Sequence, residues 1–212
     1  MIMNRIRFIL SAMMAGVLIA LAGTIYLSVK SENAVLGAFL FGFGLLTVVS
    51  LDYKLYTGRI GYIIDQPKSY IIDILWIILG NVLGSLLIAS IVHLGQIEVV
   101  INGAIDLVDY KLAKDFWTMF AQSILCGMMM YLGVDGFKRA PNDVSKVVIN
   151  IFAVVIFILA GFEHSIANIY YFFLANIWSF HTVLWFVLML IGNGIGSVLL
   201  NLIEKVGKLK KV

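Results

Sequence analysis

The strongest constraint in this sequence is repeated apolar length. Stretches of about 20 mostly apolar residues recur from one end to the other, each long enough to cross roughly 30 Å of hydrocarbon. They run about 8–29, 34–64, 69–94, 112–134, 144–178 and 182–206. No water reaches the bilayer core, so each backbone must satisfy its own hydrogen bonds, and such segments become helices. Composition points the same way: 62% of the 212 residues are apolar and 13% are charged, against roughly 25% charged in soluble domains. The reading is a single all-α integral membrane domain over 1–212. The first run continues past a signal peptide's usual apolar region, so it is expected to stay as a span. A lone cysteine inside an apolar run, Cys126, excludes a disulfide framework and a cysteine-rich metal site. No metal or cofactor is implied. The net charge of +3 is small, and the basic residues sit in loops and tails. That distribution reports topology and gives no sign of a nucleic-acid partner.

Basic residues set the orientation. With both termini inside, the cytoplasmic side holds Arg5, Arg7, Lys68, Lys138, Arg139, Lys146, Lys205, Lys208, Lys210 and Lys211, and the outside holds Lys30, Lys111 and Lys114. Ten against three places both termini in the cytoplasm, in a multi-pass protein of a bacterial-type inner membrane. The second and fifth segments are too long for one pass and carry polar interruptions, "DYKLYTG" at 52–58 and "EHSIAN" at 163–168. A repeat is also visible. "ILGNVLGSLLI" at 78–88 and "LIGNGIGSVLL" at 190–200 lie 112 residues apart, each following an interruption at a similar interval. Three segments per half make the halves cross in opposite directions. Inverted repeats with paired broken helices are a mark of channels and secondary transporters, with the site at the repeat interface. The Gly-Asn motifs themselves read as close helix packing, since neither holds a titratable group. Ala12, Gly16 and Ala20 form a similar packing stripe on the first helix.

A break inside the membrane exposes backbone, tolerated where it is buried in protein or lines a wet cavity. Half-helices starting near Thr57 and Ser165 would aim N–H groups and positive dipole ends at the midplane, a field that favours an anion. Thr57 and Asn168 add side-chain donors, and His164 adds a titratable one. An ionisable residue in a broken span is a functional candidate by default. The competing reading of His164 is a core histidine bonded to a neighbouring carbonyl. Glu163 beside it would repel an anion, and is expected to turn away and bond backbone or a partner helix.

"GFEHSIAN" at 161–168 is very similar to the signature of the formate/nitrite transporter family, pentameric channels for small monovalent anions such as formate, nitrite and hydrosulfide. "KLYTG" resembles that family's acidic-Leu-Phe-Thr-Gly/Ser loop, and "SILCG" resembles its Arg-Gly-Ile-Leu-Cys-Asn stretch. The resemblance covers about 8–206 and implies an aquaporin-like fold of six helices in two inverted three-helix repeats. It makes His164 the central pore histidine beside Thr57, with Phe41 and Phe157 at an outer constriction. Leu45, Leu55 and Tyr56 fall at an inner constriction, Met130 faces the pore, and Lys111 draws anions into the outer vestibule. The chain departs from the pattern at Lys54, where a carboxylate is usual, at Gly127 in place of Asn, and at Gln122-Ser123 in place of Arg-Gly. Prolines expected after "HSIAN" and before the last Gly-Asn are missing.

The function this implies is proton-linked passage of a weak acid's anion through a bilayer-embedded homopentamer. Its partners are small monovalent anions, protons and lipid. A bare anion in an apolar slit costs several kcal/mol or more to desolvate, a cost that protonation removes. The proton comes either from His164 or from vestibule water. Lys54 is expected to attract anions at the inner mouth unless Asp52 neutralises it. Two rival readings are a non-transporting scaffold that keeps the fold and, less favoured, an intramembrane enzyme using His164 and Glu163. The other histidines, His93 and His181, fall near the outer surface, too far to complete a metal site.

Overall fold

The computed structural model describes residues 2–207, with side chains from Arg5 onward. Lys208, Lys210 and Lys211, counted above on the cytoplasmic side, lie outside the described residues. The helices in chain order are α1 (Ile2–Val29), α2 (Ala34–Ser50), α3 (Tyr56–Arg59), α4 (Tyr70–Leu94), α5 (Glu98–Leu112), α6 (Phe116–Arg139), α7 (Asp143–Leu159), α8 (Ser165–Ala175) and α9 (Phe180–Val206). A 3₁₀ helix, Ile60–Asp65, extends α3. Among the described residues, four helices are long and apolar enough to cross a bilayer by themselves: α1, α4, α6 and α9. The second and fifth crossings are each made of two pieces, α2 with α3 and α7 with α8. Large apolar side chains such as Phe39, Leu75, Ile91, Phe152 and Ile203 are exposed on the outer faces, a surface suited to lipid or to another copy rather than to water.

The two halves repeat one packing scheme. α1 packs on α4 as α6 packs on α9, α1 packs on α2 as α6 packs on α7, and α2 meets α7 between the halves. α5 was not among the expected apolar segments. It carries Glu98, Asp106, Asp109 and Lys111, joins the halves, and lies against α8 and α1.

Both breaks are made by the same local device. α2 ends with Asp52 in the left-handed region (φ 53°), and the Tyr53 N–H turns back to the Val48 carbonyl (2.9 Å). α7 ends with Gly161 at φ 71°, and the Phe162 N–H reaches the Phe157 carbonyl (2.9 Å). Such a left-handed cap with a six-to-one hydrogen bond stops a helix and redirects the chain. Glycine takes that conformation freely; aspartate takes it at a cost.

The Gly-Asn motifs pack helices, and they also cap the half-helices. A Cβ on Gly84 would strike the Met13 carbonyl, and one on Gly196 would strike the Ile124 carbonyl, so α1–α4 and α6–α9 touch backbone to backbone. Asn81 Oδ1 accepts the Tyr56 N–H (2.8 Å) while its Nδ2 donates to the carbonyls of Ala12 (2.8 Å) and Lys54 (2.9 Å). Asn193 does the same in the other half: Oδ1 accepts the Ser165 N–H (2.9 Å), and Nδ2 donates to the carbonyls of Ser123 and Glu163 (both 2.8 Å). Each asparagine therefore ties a long helix, its neighbour and a break together. Both are fully buried, so truncation strands the half-helix N–H and the break carbonyl (Lys54 or Glu163), at about 1–3 kcal/mol for each group left unpaired; the Ala12 and Ser123 carbonyls keep their partners within α1 and α6. Asn81→Ala and Asn193→Ala should both lower the detergent melting temperature, and by similar amounts. A wild-type melting curve for either would remove it from this role.

Candidate conduction site

The side chains at the breaks come together although they are far apart in the chain. His164 is the residue that starts α8, and its Nδ1 accepts the Ala167 N–H (3.0 Å). A nitrogen that accepts a backbone N–H holds no proton itself, so the neutral ring carries its proton on Nε2. Nε2 lies 3.0 Å from Thr57 Oγ1, across 107 residues of sequence. The ring of His164 stacks on Phe157 (centroids 5.6 Å apart), and Phe157 meets Phe41 edge-on (6.0 Å). Thr57, His164, Phe41 and Phe157 are each at most 4% exposed.

A cavity of about 190 Å³ opens on the α5 side of this pair, lined by Phe41, Phe157, His164, Asn168, Lys111 and Lys114 among others. At roughly 30 Å³ per water, it holds several waters or a small hydrated ion. On the opposite side a second cavity is lined by Leu45, Val48, Leu55, Asp52, Arg59 and Lys138 among others. Phe41 and Phe157 therefore stand beside one cavity, Leu45 and Leu55 beside the other, with His164 and Thr57 at the breaks between them.

Charge in the first cavity is arranged around Glu163. This carboxylate is fully buried, and Lys111 Nζ reaches Oε2 (2.5 Å) while Lys114 Nζ reaches Oε1 (2.6 Å). Asn168 Nδ2 adds a hydrogen bond to Oε2 (2.6 Å) and one to Met189 Sδ (2.8 Å). Gln122 Oε1 accepts from Lys114 as well (2.6 Å). Two cations on one anion leave a surplus positive charge at the cavity wall. In the second cavity Asp52 is held by Lys54 (2.7 Å) and by Arg59.

These contacts modify several expectations. Glu163 bonds a partner helix, the second of its two expected forms: its carboxylate takes Lys111 from α5 and Lys114 just beyond it, so Lys111 is its partner instead of a free attractor. Lys54 is paired with Asp52, which it shares with Arg59. The Tyr56, Ser165 and Ala167 N–H groups at the starts of these half-helices are already used, by Asn81, Asn193 and His164, so the dipole ends remain while most of the backbone donors do not. Tyr56 follows Leu55 on α3, and one helical step turns it toward α9, where its hydroxyl donates to the Leu190 carbonyl (2.6 Å). Met130 is buried in the core between the helices. Lys114, Arg59 and Lys138 were not singled out. Lys114 lies just past the end of α5, so no helical spacing paired it with Lys111 in the sequence.

Inverted repeats, paired breaks and a buried polar pair between two charged cavities define a membrane transporter of the inverted-repeat class. The chain belongs to the formate/nitrite transporter family, whose model matches residues 2–204. It is similar to the formate channel FocA of Haemophilus influenzae, with 26% identity over 180 residues, covering 76% of this chain and 63% of that one. Against FocA of Escherichia coli K12 it is 25% identical over 178 residues, covering 75% and 62%. The chain thus spans just under two thirds of the length of these curated relatives. In shape it is similar to a pentameric formate channel with formate bound (TM-score 0.82, 21% identity, 98% of each chain). An FNT family ion channel is also similar (TM-score 0.81, 21% identity, 97% of this chain and 91% of that one). The protein is an all-helical, multi-pass integral membrane protein, and membership of a transporter family sets aside the intramembrane-enzyme reading.

Proposed function

We propose that this chain conducts the small monovalent anions of weak acids, of the formate, nitrite or hydrosulfide type, as a homopentamer with a pore in each protomer. Both termini lie in the cytoplasm, so the Lys111 cavity is the outer vestibule and the Asp52 cavity the inner one. The observation that supports this most is the Thr57–His164 pair, buried between two charged cavities and flanked by apolar rings. The surplus charge of the Lys111–Glu163–Lys114 cluster concentrates the anion. At the Phe41–Phe157 ring the anion would lose its water, and a low dielectric favours its protonated form. His164 keeps Nδ1 engaged as the cap of α8, so a second ring proton would cost that cap and set a cation against a helix N-terminus. Vestibule water is therefore the proton source, and His164 acts as a neutral donor. Its Nε2–H donates to Thr57 Oγ1, which leaves the Thr57 hydroxyl proton to point at the passing acid or anion. Acid and proton cross together, and net transport is electroneutral. Two of the three departures behind the scaffold alternative have a structural reason: Gly127 lies against the Asn193 backbone, and Lys54 is paired with Asp52.

The test is stopped-flow flux in proteoliposomes with formate, nitrite, hydrosulfide, acetate and lactate, beside mass determination in nanodiscs. Five copies per particle and flux above protein-free liposomes are expected. Thr57→Val should leave the pentamer intact and lower flux about tenfold, the worth of one charge-directed hydrogen bond of about 1.4 kcal/mol. His164→Phe fills the space but removes the donor and the α8 cap, so flux and its pH profile should both change. Intact pentamers with no flux for any of the five substrates would refute the proposal.

A further inference from the structure

We infer that Asp52 is a tethered substitute for cargo: its carboxylate occupies an anion subsite at the inner mouth, built by Lys54 and Arg59, that accepts a small monocarboxylate. This inference rests on the conduction reading above. Asp52 Oδ2 takes Lys54 Nζ (2.7 Å), Oδ1 takes Arg59 Nη2, and Lys54 Nζ also donates to the Asp52 carbonyl (3.1 Å). Lys138 lines the same cavity as Leu45 and Leu55. A planar group with two oxygens and one negative charge, gripped by an ammonium and a guanidinium, has the chemistry of a free monocarboxylate in such a clamp.

Two observations make the substitution exchangeable. The Asp52 side chain is 71% exposed although both of its oxygens are paired, so water and solutes reach the clamp. The carboxylate at the other mouth, Glu163, is 0% exposed and is fastened by Asn168 as well, which makes it a fixed part of the wall. Asp52 also sits in the left-handed conformation that the matching break gives to Gly161. A residue with a side chain is thus held where glycine is the easier choice, and its side chain is delivered to the two cations. A cargo anion arriving from the inner side must displace it.

The experiment is ¹³C-formate line broadening on the detergent-solubilised oligomer at low ionic strength, comparing wild type with Asp52→Asn. Asparagine tolerates the left-handed region, so the backbone is kept while the charge is removed. Asp52→Gly, which copies Gly161, is the second variant should the first fold poorly. Either should bind formate about fivefold or more tightly than wild type, roughly 1 kcal/mol by the affinity relation. Adding Arg59→Gln should return the affinity to the wild-type value. Sodium chloride at matched concentration should compete poorly. Equal formate binding by wild type and both variants would overturn the inference. So would chloride displacing formate one for one, since that marks a diffuse charge field rather than a carboxylate subsite. Binding is measured without flux, so the two readings fail separately. Tighter binding by the variants beside a wild type that conducts nothing would keep the subsite and sink the conduction proposal.

Discussion

Glu163→Ala should lose about 3–5 kcal/mol of stability, the cost of breaking a buried ion pair by removing one partner, and recovery of folded protein should collapse. The carboxylate is fully buried and receives Lys111, Lys114 and Asn168. Its removal leaves two lysines, whose side chains are 10% and 8% exposed, with like charges and no anion between them. Glu163→Gln keeps the volume but not the charge, and should be nearly as damaging. The decisive control is the triple variant Glu163→Ala, Lys111→Met, Lys114→Met. Replacing a whole buried ionic cluster by apolar side chains is often neutral or stabilising, so folded protein should return although the cavity has lost its positive charge. Fluorescence-detected size exclusion after a heating series reads all of these. A wild-type melting temperature for Glu163→Ala would show that the cluster does not support the fold.

Gly127→Asn should be of comparable severity, although asparagine is the residue the family resemblance leads one to expect there. A Cβ at this position would fall on the backbone carbonyl of Asn193, as one at Gly16 would fall on the carbonyl of Asn81. Backbone cannot swing aside as a side chain can. α6 would have to move off α9, pulling Asn193 from the three groups it ties. Overpacking a tight contact costs about 1–3 kcal/mol or more, and the lost hydrogen bonds add to it. Gly127→Ala should already reduce the yield of monodisperse protein, and Gly127→Asn should nearly abolish it. A fully folded Gly127→Asn protein would mean that α6 and α9 can separate without cost.

The extent of the fold legible in the sequence follows from what is local. Apolar runs of membrane length, the polar interruptions at 52–58 and 163–168, and the twice-written Gly-Asn motif are properties of neighbouring residues. They show without any knowledge of packing, because hydrocarbon imposes its demands on each segment separately. That is why His164 and Thr57 could be picked out, each from its own break.

Partnership is another matter. Nothing in "DYKLAKDF" says that Lys111 and Lys114 will close on a carboxylate about 50 residues later, or which partner helix Glu163 will bond. Asn81 and Asn193 looked like packing residues, because their second task requires a break in a different segment to end within 3 Å of the amide. The direction of Tyr56, the proton-free Nδ1 of His164 and the clamp on Asp52 are decided in the same way, by how helices cross. The sequence by itself determined the membrane class, the inverted halves and the place of the breaks, since burial and helix termination are written residue by residue. Only the tertiary structure decided which charges are spent on each other and which remain for an anion, because a charge's partner depends on distances between segments that no local pattern encodes.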